Sequence, residues 1–116
     1  MKKLFTIYLL LTCLFMACEL PGVGIHTRYL TEDTTIDDVT YEKGVISIYE
    51  NGQVHSGILA ENATINGITY TGFIYFYPNG QVEIGILAYN QTINGITFAA
   101  GTIIRFDENG NITDYY

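Results

Sequence analysis

The chain has 116 residues and is acidic, with 12 Asp and Glu against five Lys and Arg and a formal net charge of −7 at pH 7. This length fits one small domain. The charge balance excludes nucleic acid as a partner, since the chain has no cationic surface to neutralise phosphates. It equally excludes adhesion to anionic lipid by charge. Both cysteines, Cys13 and Cys18, lie near the N-terminus, so the rest of the chain predicts neither a disulfide framework nor a thiolate metal site.

The first residues predict an export signal rather than part of the fold. Lys2 and Lys3 precede the apolar run "LFTIYLLLTCLFMA", which has 14 residues from Leu4 to Ala17. A helix that spans a membrane needs roughly 20 residues, whereas a run of this length is typical of a secretory signal. A buried core helix is the alternative. We therefore expect residues 1–17 to be an N-terminal signal helix that is removed.

The window "FMAC", residues 15–18, resembles the lipobox of bacterial lipoproteins. Phe15 at its first place is similar to the relaxed lipoboxes of spirochaetal lipoproteins. The resemblance implies that Cys18 becomes the lipidated first residue, and several acyl chains would then hold the protein stably on a membrane. It implies a lipoprotein of the bacterial cell envelope, at the outer membrane or on a periplasmic face. Residues 18–29 are predicted to be the lipidated Cys and a tether.

Three copies of one pattern follow the tether. They begin at Leu30, Leu59 and Leu87, and are therefore 29 and 28 residues apart. Each copy has two turn signals. Asn-Gly between apolar runs predicts a type I′ hairpin turn, because both residues accept positive φ angles. At one of the six turn places stands Asp37-Asp38, for which we expect a different turn type or a frayed first copy. Asn-Gly occupies the other five: Asn51-Gly52, Asn66-Gly67, Asn79-Gly80, Asn94-Gly95 and Asn109-Gly110.

The runs between the turns predict β-strands. The runs "GVISIYENG", "GFIYFYPNG" and "GTIIRFDENG" are rich in β-branched and aromatic residues, and no helical period follows the signal. Most runs contain a mid-strand Gly, which marks a bend or a close backbone approach. Residues 30–116 are therefore predicted to be an all-β domain, an antiparallel meander of about three repeats of 28–29 residues. Strands bent at the glycines would enclose a core, and a flat single-layer sheet is the alternative.

The phrases "YENGQVHSGIL" from Tyr49 and "YPNGQVEIGIL" from Tyr77 resemble MORN repeats and the related bacterial repeats of YwqK-type antitoxins. They are also similar to repeat lipoproteins of spirochaetes. The resemblance covers about 85 residues, and the chain departs from the MORN pattern in having no Trp. It implies stacked β-hairpins that serve as a scaffold or interaction surface, and no catalytic residues. A YwqK-like antitoxin or immunity-type protein is the alternative function.

No set of residues predicts catalysis, a cofactor or a metal site. His26 lies in the predicted tether and His55 in a strand. The pairs of acidic residues fall at turns, where we expect them to be solvated, and weak calcium binding is the alternative. A small carbohydrate-active enzyme is a remote alternative that would need a carboxylate pair such as Glu61 and Glu83. We therefore expect a protein that is not an enzyme.

The aromatic residues give the remaining functional clue. Alternation along one strand places Phe73, Tyr75 and Tyr77 on the same face. Such residues either hold the strand register through cross-strand pairs or form a stripe that binds a protein or carbohydrate partner. The sequence thus predicts a lipid-anchored envelope protein whose β-repeat ectodomain is a binding or structural module.

Overall fold

The computed structural model describes residues 24–116, so the predicted signal at residues 1–17 and the lipidation site Cys18 lie outside the described residues. In the described range all regular elements are β-strands. A search of that range for a helix long and apolar enough to cross a membrane finds none. The strands are β1 (Ile25–Leu30), β2 (Thr34–Ile36), β3 (Val39–Tyr41), β4 (Gly44–Tyr49), β5 (Val54–Ile58), β6 (Ala63–Ile65), β7 (Ile68–Phe76), β8 (Val82–Leu87), β9 (Gln91–Ile93), β10 (Ile96–Phe98), β11 (Ile103–Phe106) and β12 (Ile112–Tyr115).

One main sheet organises the molecule. Its strand order is β1-β4-β5-β7-β8-β11-β12, and β6 pairs with the beginning of β7 beside this path. All the pairings are antiparallel. Three long hairpins, β4–β5, β7–β8 and β11–β12, supply most of the sheet. The prediction of an all-β, antiparallel fold is confirmed.

Three short hairpins cover one face of the main sheet, which we call the inner face; the opposite one is the outer face. The short hairpins are β2–β3, β6 with the start of β7, and β9–β10. The second strand of each brings one buried aromatic ring, namely Tyr41, Tyr70 or Phe98, against the sheet. The core consists of Leu30, Val39, Tyr41, Ile46, Ile48, Val54, Leu59, Tyr70, Ile74, Phe76, Val82, Leu87, Ile93, Phe98, Ile104 and Phe106.

Two glycines of the main sheet make room for the rings of the short hairpins. A Cβ on Gly57 of β5 would lie 2.9 Å from Cδ1 of Tyr41, and a Cβ on Gly85 of β8 would lie 2.5 Å from Cδ1 of Tyr70. A side chain at either position would displace a buried ring from a close-packed core. Gly72 instead marks a bend, the other role predicted for a mid-strand glycine. Its φ is 72°, and it lies at a register shift where β7 bends.

The Asn-Gly dipeptides form two different turns. In the short hairpins, Asn66 and Asn94 have φ of 52° and 53° and are followed by glycines that also have positive φ, as in type I′ turns. In the long hairpins only the glycine has positive φ, and the Gly52 N–H donates to the Tyr49 carbonyl at 2.9 Å. These are type I turns followed by a left-handed glycine. The predicted type I′ geometry is therefore wrong for Asn51-Gly52, Asn79-Gly80 and Asn109-Gly110.

Two further expectations are corrected. Asp37 and Asp38 have φ of 52° and 68°, so they form the same turn as the Asn-Gly tips of the other short hairpins, because Asp is one of the few residues that tolerate this conformation. β1 begins at Ile25 and pairs with β4 along its whole length. The tether predicted for residues 18–29 is therefore wrong for residues 25–29, where the alternating sequence "IHTRY" extends the sheet.

Candidate functional site

The outer face of the main sheet carries an ordered aromatic cluster, which we call the outer aromatic patch: Tyr49, His55, Phe73 and Tyr75. The His55 ring stands edge-on to Tyr49 and to Tyr75, with centroid distances of 5.1 and 5.6 Å and interplanar angles of 89°. Phe73 packs against Tyr75 at 5.9 Å and 80°. Edge-to-face contact is a favourable arrangement of aromatic rings, so the four rings support one another's orientation.

A β-bulge places His55 in this patch. Ser47 of β4 lies opposite Ser56, and the next residue, Ile48, lies opposite Val54, so His55 is the extra residue of the bulge. A bulge re-aims the side chains around it. Here Val54 turns into the core, where it is 1% exposed, and His55 lies between the two tyrosines. The Nδ1 atom of His55 is 3.1 Å from the Ser56 hydroxyl, a hydrogen-bond contact that further orients the ring.

An apolar row continues from the patch across four neighbouring strands. Tyr29 of β1 pairs with Val45 of β4, and Ile58 of β5 pairs with Phe73 of β7. Val45, Ile58 and Phe73 line one shallow depression of about 170 Å³. Tyr29, Val45 and Ile58 are 67%, 61% and 46% exposed. We call these three residues, together with the partly buried Phe73, the exposed row. Contiguous apolar surface of this kind marks interaction sites, so the row and the patch together form the candidate site.

The predicted binding stripe is divided by the structure. Phe73 and Tyr75 belong to the patch, whereas the Tyr77 hydroxyl donates to the Phe106 carbonyl at 2.7 Å. The Tyr49 hydroxyl likewise donates to the Phe76 carbonyl at 2.7 Å. Burial, and then the negative charge of Glu83, raises the pKa of both hydroxyls above its ordinary value. Tyr77 therefore links two long hairpins, and Tyr49 does so while also contributing to the patch.

Sequence reasoning missed most of the candidate site. Alternation groups Val45 with Tyr49 on one face, but it cannot align β4 with β7, because strand register depends on contacts between distant parts of the chain. The sequence also does not show the bulge that turns His55 outward. The one available signal is that Val45 is an apolar residue at an outward position of its strand, which simple alternation identifies.

Charged residues border the patch. The Arg105 Nη1 atom lies 3.3 Å from the Glu83 Oε2 atom, with both side chains partly exposed. Glu83 is the extra residue of the bulge between β7 and β8, the position that His55 occupies in β5. The structure thus gives Glu83 an ionic partner, and it leaves Glu61 exposed in the connection between β5 and β6.

Two grooves lie between the tips of neighbouring short hairpins, over the inner face. The larger has a volume of about 340 Å³, with Asn66 on its rim and Val82 and Phe106 on its floor. The smaller, of about 270 Å³, has Asp37 and Asp38 on its rim. Both floors consist of buried core side chains, so the grooves present turn residues to a ligand. Within residues 24–116 no group of three His, Cys, Asp or Glu side chains could hold a metal ion.

Comparison with known proteins does not assign the chain to a family: no family model matches it, and neither does any curated protein or solved structure. The resemblance to MORN and YwqK-type repeats therefore stays a prediction that rests on the turn phrases.

Proposed function

We propose that the protein is a binding module of the bacterial cell envelope, anchored by lipid on Cys18, and that its outer face binds a protein partner. The observation that carries this proposal is the continuity of the outer aromatic patch with the exposed row on an otherwise acidic molecule. No step of the proposal requires catalysis or a cofactor.

The composition of the outer face favours a protein partner. Protein interfaces are enriched in aromatic residues and depleted of charge at their centres, and their charged groups lie at the rim. The patch and the row have this arrangement, with the Glu83–Arg105 pair at one border. Four adjacent strands at roughly 4.8 Å spacing give the row a length of about 15 Å between its outer strands, which is enough for a cluster of energetically dominant contacts. A carbohydrate ligand, which aromatic rings can also bind, is an outcome of the test below.

The proposal includes a three-repeat organisation in which each sequence copy contributes one short and one long hairpin. Hydrogen bonds join neighbouring long hairpins at equivalent places. The Asn51 amide donates to the Pro78 carbonyl at 3.1 Å, and at the equivalent place the Asn79 amide donates to the Glu108 carbonyl at 3.4 Å. Such nearest-neighbour contacts are characteristic of repeat scaffolds. In this interpretation the copies build a rigid sheet, and the binding residues lie where the copies differ.

The lipid anchor is tested by metabolic labelling of the full chain in a bacterial host with a palmitate analogue. The unchanged chain should take up the label and fractionate with membranes. Cys18→Ala should abolish the label, while Cys13→Ala should leave the mature protein labelled, because Cys13 lies in the predicted signal. Labelling of the Cys18→Ala variant contradicts the anchor, whatever the outer face binds.

The binding surface is tested by cross-linking intact cells and purifying the tagged full chain. Phe73→Ser and Val45→Ser should each reduce recovery of the bound protein by about tenfold or more, since the few dominant residues near the centre of an interface cost about 2 kcal/mol or more when they are truncated. Ile96→Ser is the matched control, because Ile96 is 55% exposed but lies on the third short hairpin. Equal losses from all three variants, or displacement of the partner by soluble glycans, would contradict a protein-binding outer face.

A further inference from the structure

Among residues 24–116, β1 is an edge of the main sheet, and the backbone groups on its outer side have no partner. Within residues 24–116 its hydrogen-bonded neighbour is β4 alone, and the register between the two strands has no shift. The Glu50 N–H donates to the Gly24 carbonyl at 2.8 Å, so these two residues form a hydrogen-bonded pair. Such pairs alternate along an antiparallel ladder. The N–H and C=O groups of Ile25, Thr27 and Tyr29 therefore point away from β4, toward the open edge.

The opposite edge, β12, differs from β1 in length, in register and in its carboxylates. It has four residues, and its register with β11 shifts at Phe106. It contains Asp114, and Asp107 and Glu108 precede it in the turn. Short length, a bulge and like charges are the means by which proteins prevent pairing at an edge. β1 has six residues, lies in continuous register with β4 and contains no carboxylate.

The number of strands determines how two copies can join. The path from β1 to β12 contains seven strands besides β6, and consecutive strands are antiparallel, so the two edge strands run in the same direction. If the outer faces of both copies lie on the same side of the joined sheet, β12 of one copy can meet β1 of the next only as a parallel pair. A two-fold axis perpendicular to the sheet instead joins β1 to β1 in antiparallel fashion, and this contact closes at two copies.

We propose that a second copy of this chain pairs its β1 with β1, antiparallel, about a two-fold axis at Thr27. In this register each Thr27 lies opposite Thr27 of the second copy, and each Ile25 lies opposite Tyr29 of the second copy. Every outward N–H and C=O group of the three residues then has a partner, as backbone groups in a sheet require. A shift by two residues leaves some of these groups unpaired, and a shift by one residue exchanges the faces.

The side chains of β1 fit this register. Ile25 and Tyr29 are 51% and 67% exposed on the outer face, and an aliphatic residue opposite an aromatic one is a favourable cross-strand pair. On the other face Arg28 lies opposite His26 of the second copy, so no two carboxylates meet. The dimer joins the outer faces of both copies into one sheet, with Ile25 of the second copy beside Tyr29 at the end of the exposed row. This inference does not depend on what the outer face binds.

The dimer is tested in membranes of cells that express the full chain with a photo-reactive p-benzoyl-phenylalanine at Tyr29. Tyr115 is the matched control, because it is an exposed tyrosine on the other edge. Illumination should yield at least about tenfold more covalent homodimer from position 29 than from position 115. Adding Thr27→Pro should remove at least about nine-tenths of that product. It deletes the N–H at the centre of the register without costing a β1–β4 hydrogen bond, since that N–H points away from β4. Thr27→Val, which keeps the N–H and the β-branch, should leave the yield unchanged.

A charge exchange at Thr27 tests the two-fold axis itself. Thr27 is exposed, so Thr27→Arg and Thr27→Glu should both fold, and each alone should lose the homodimer because like charges meet on the axis. Co-expression of the two variants with different tags should restore the cross-link between them. Equal yields from Tyr29 and Tyr115, insensitivity to Thr27→Pro, or no restoration in the mixed pair would overturn the proposal. So would capture of a different protein from position 29 in place of a second copy.

Discussion

In the proposed repeat organisation, the second and third sequence copies have the same turn phrases but differ where the second one contacts its neighbour. In the second copy the Tyr77 hydroxyl reaches across to the Phe106 carbonyl. The equivalent residue of the third copy is Asp107, and its carboxylate accepts hydrogen bonds from the N–H groups of Asn109 and Asn111, at 2.8 and 2.9 Å within its own turn. A side chain that links two hairpins is thus replaced by one that closes its own turn.

A second difference concerns the short hairpins. Gly85 in the second copy leaves room for the buried ring of Tyr70. Tyr115 occupies the equivalent place in the third copy, where its ring packs against Phe98 at 5.1 Å and 66°. Among the described residues β12 is an edge strand, so a large side chain there covers Phe98 without displacing it. The two copies show that the turn phrases define the hairpins, while the residues between the turns adapt each copy to its neighbours.

The largest expected effect is that of Gly85→Ala. The new Cβ would lie 2.5 Å from the Tyr70 ring, against 2.9 Å from the Tyr41 ring for Gly57→Ala. Overpacking a core costs about 1–3 kcal/mol, so we expect the free energy of unfolding to fall by about 3 kcal/mol for Gly85→Ala and by about 2 kcal/mol for Gly57→Ala. Urea unfolding of the purified protein measures both. In a Tyr70→Ala background Gly85→Ala should cost little, because the ring it displaces is absent; a full cost there would contradict the close-approach explanation.

The sequence contains enough information to predict the strands and turns but too little to predict their pairing. Five Asn-Gly dipeptides between apolar runs identify hairpins, and the structure contains a turn at each place. Whether Asn adopts a positive φ depends on the register of the flanking strands, so Asn66 and Asn51 take different conformations in the same dipeptide. The sequence does not predict β1, because Gly22 and Gly24 before it are typical of a linker and because an edge strand needs no apolar run.

The candidate site was predictable only within one strand. Phe73 and Tyr75 follow from alternation, since both lie on β7. Tyr77 lies two residues further along the same alternation, but it lies at the start of a turn, where its hydroxyl can reach the next hairpin. His55 reaches the patch through a bulge, and a bulge is a property of two strands rather than of one sequence.

An intermediate effect is expected from the tyrosines that link the long hairpins. Tyr49→Phe should lower the free energy of unfolding by about 1.5 kcal/mol, because it leaves a buried carbonyl without its donor. Tyr77→Phe should cost about 0.5–1 kcal/mol, since the Tyr77 side chain is only half-buried. Tyr75→Phe is the matched control: among the described residues the Tyr75 hydroxyl makes no hydrogen bond, and its removal should change the unfolding midpoint in urea very little. If Tyr75→Phe lowered the free energy of unfolding as much as Tyr49→Phe, the loss would come from removing a tyrosine hydroxyl in general, and not from removing the hydrogen bond between the long hairpins.

The smallest expected effect is the pH dependence contributed by Asp107. The backbone N–H of Asn111, followed by that of Asn109, donates to the carboxylate and lowers the pKa of Asp107 below its ordinary value. Its contribution to stability is therefore complete above the unfolded pKa of about 3.9 and is lost as the pH falls through the lower folded value. Asp107→Asn keeps an oxygen acceptor but does not titrate, so the decline of its urea midpoint between about pH 4 and pH 2 should be shallower than that of the unchanged protein. Tyr77→Phe, which alters the corresponding residue of the second copy, should keep the original slope.

The carboxylate of Asp107 is fully exposed, and water screens its interactions, so the difference in slope should be small. If Asp107→Asn and the unchanged protein have identical slopes, the closed turn of the third copy contributes nothing through its charge. The exchange of Tyr for Asp would then matter only through the loss of a hydrogen bond to a next hairpin, and among the described residues no hairpin follows β12 in the sheet.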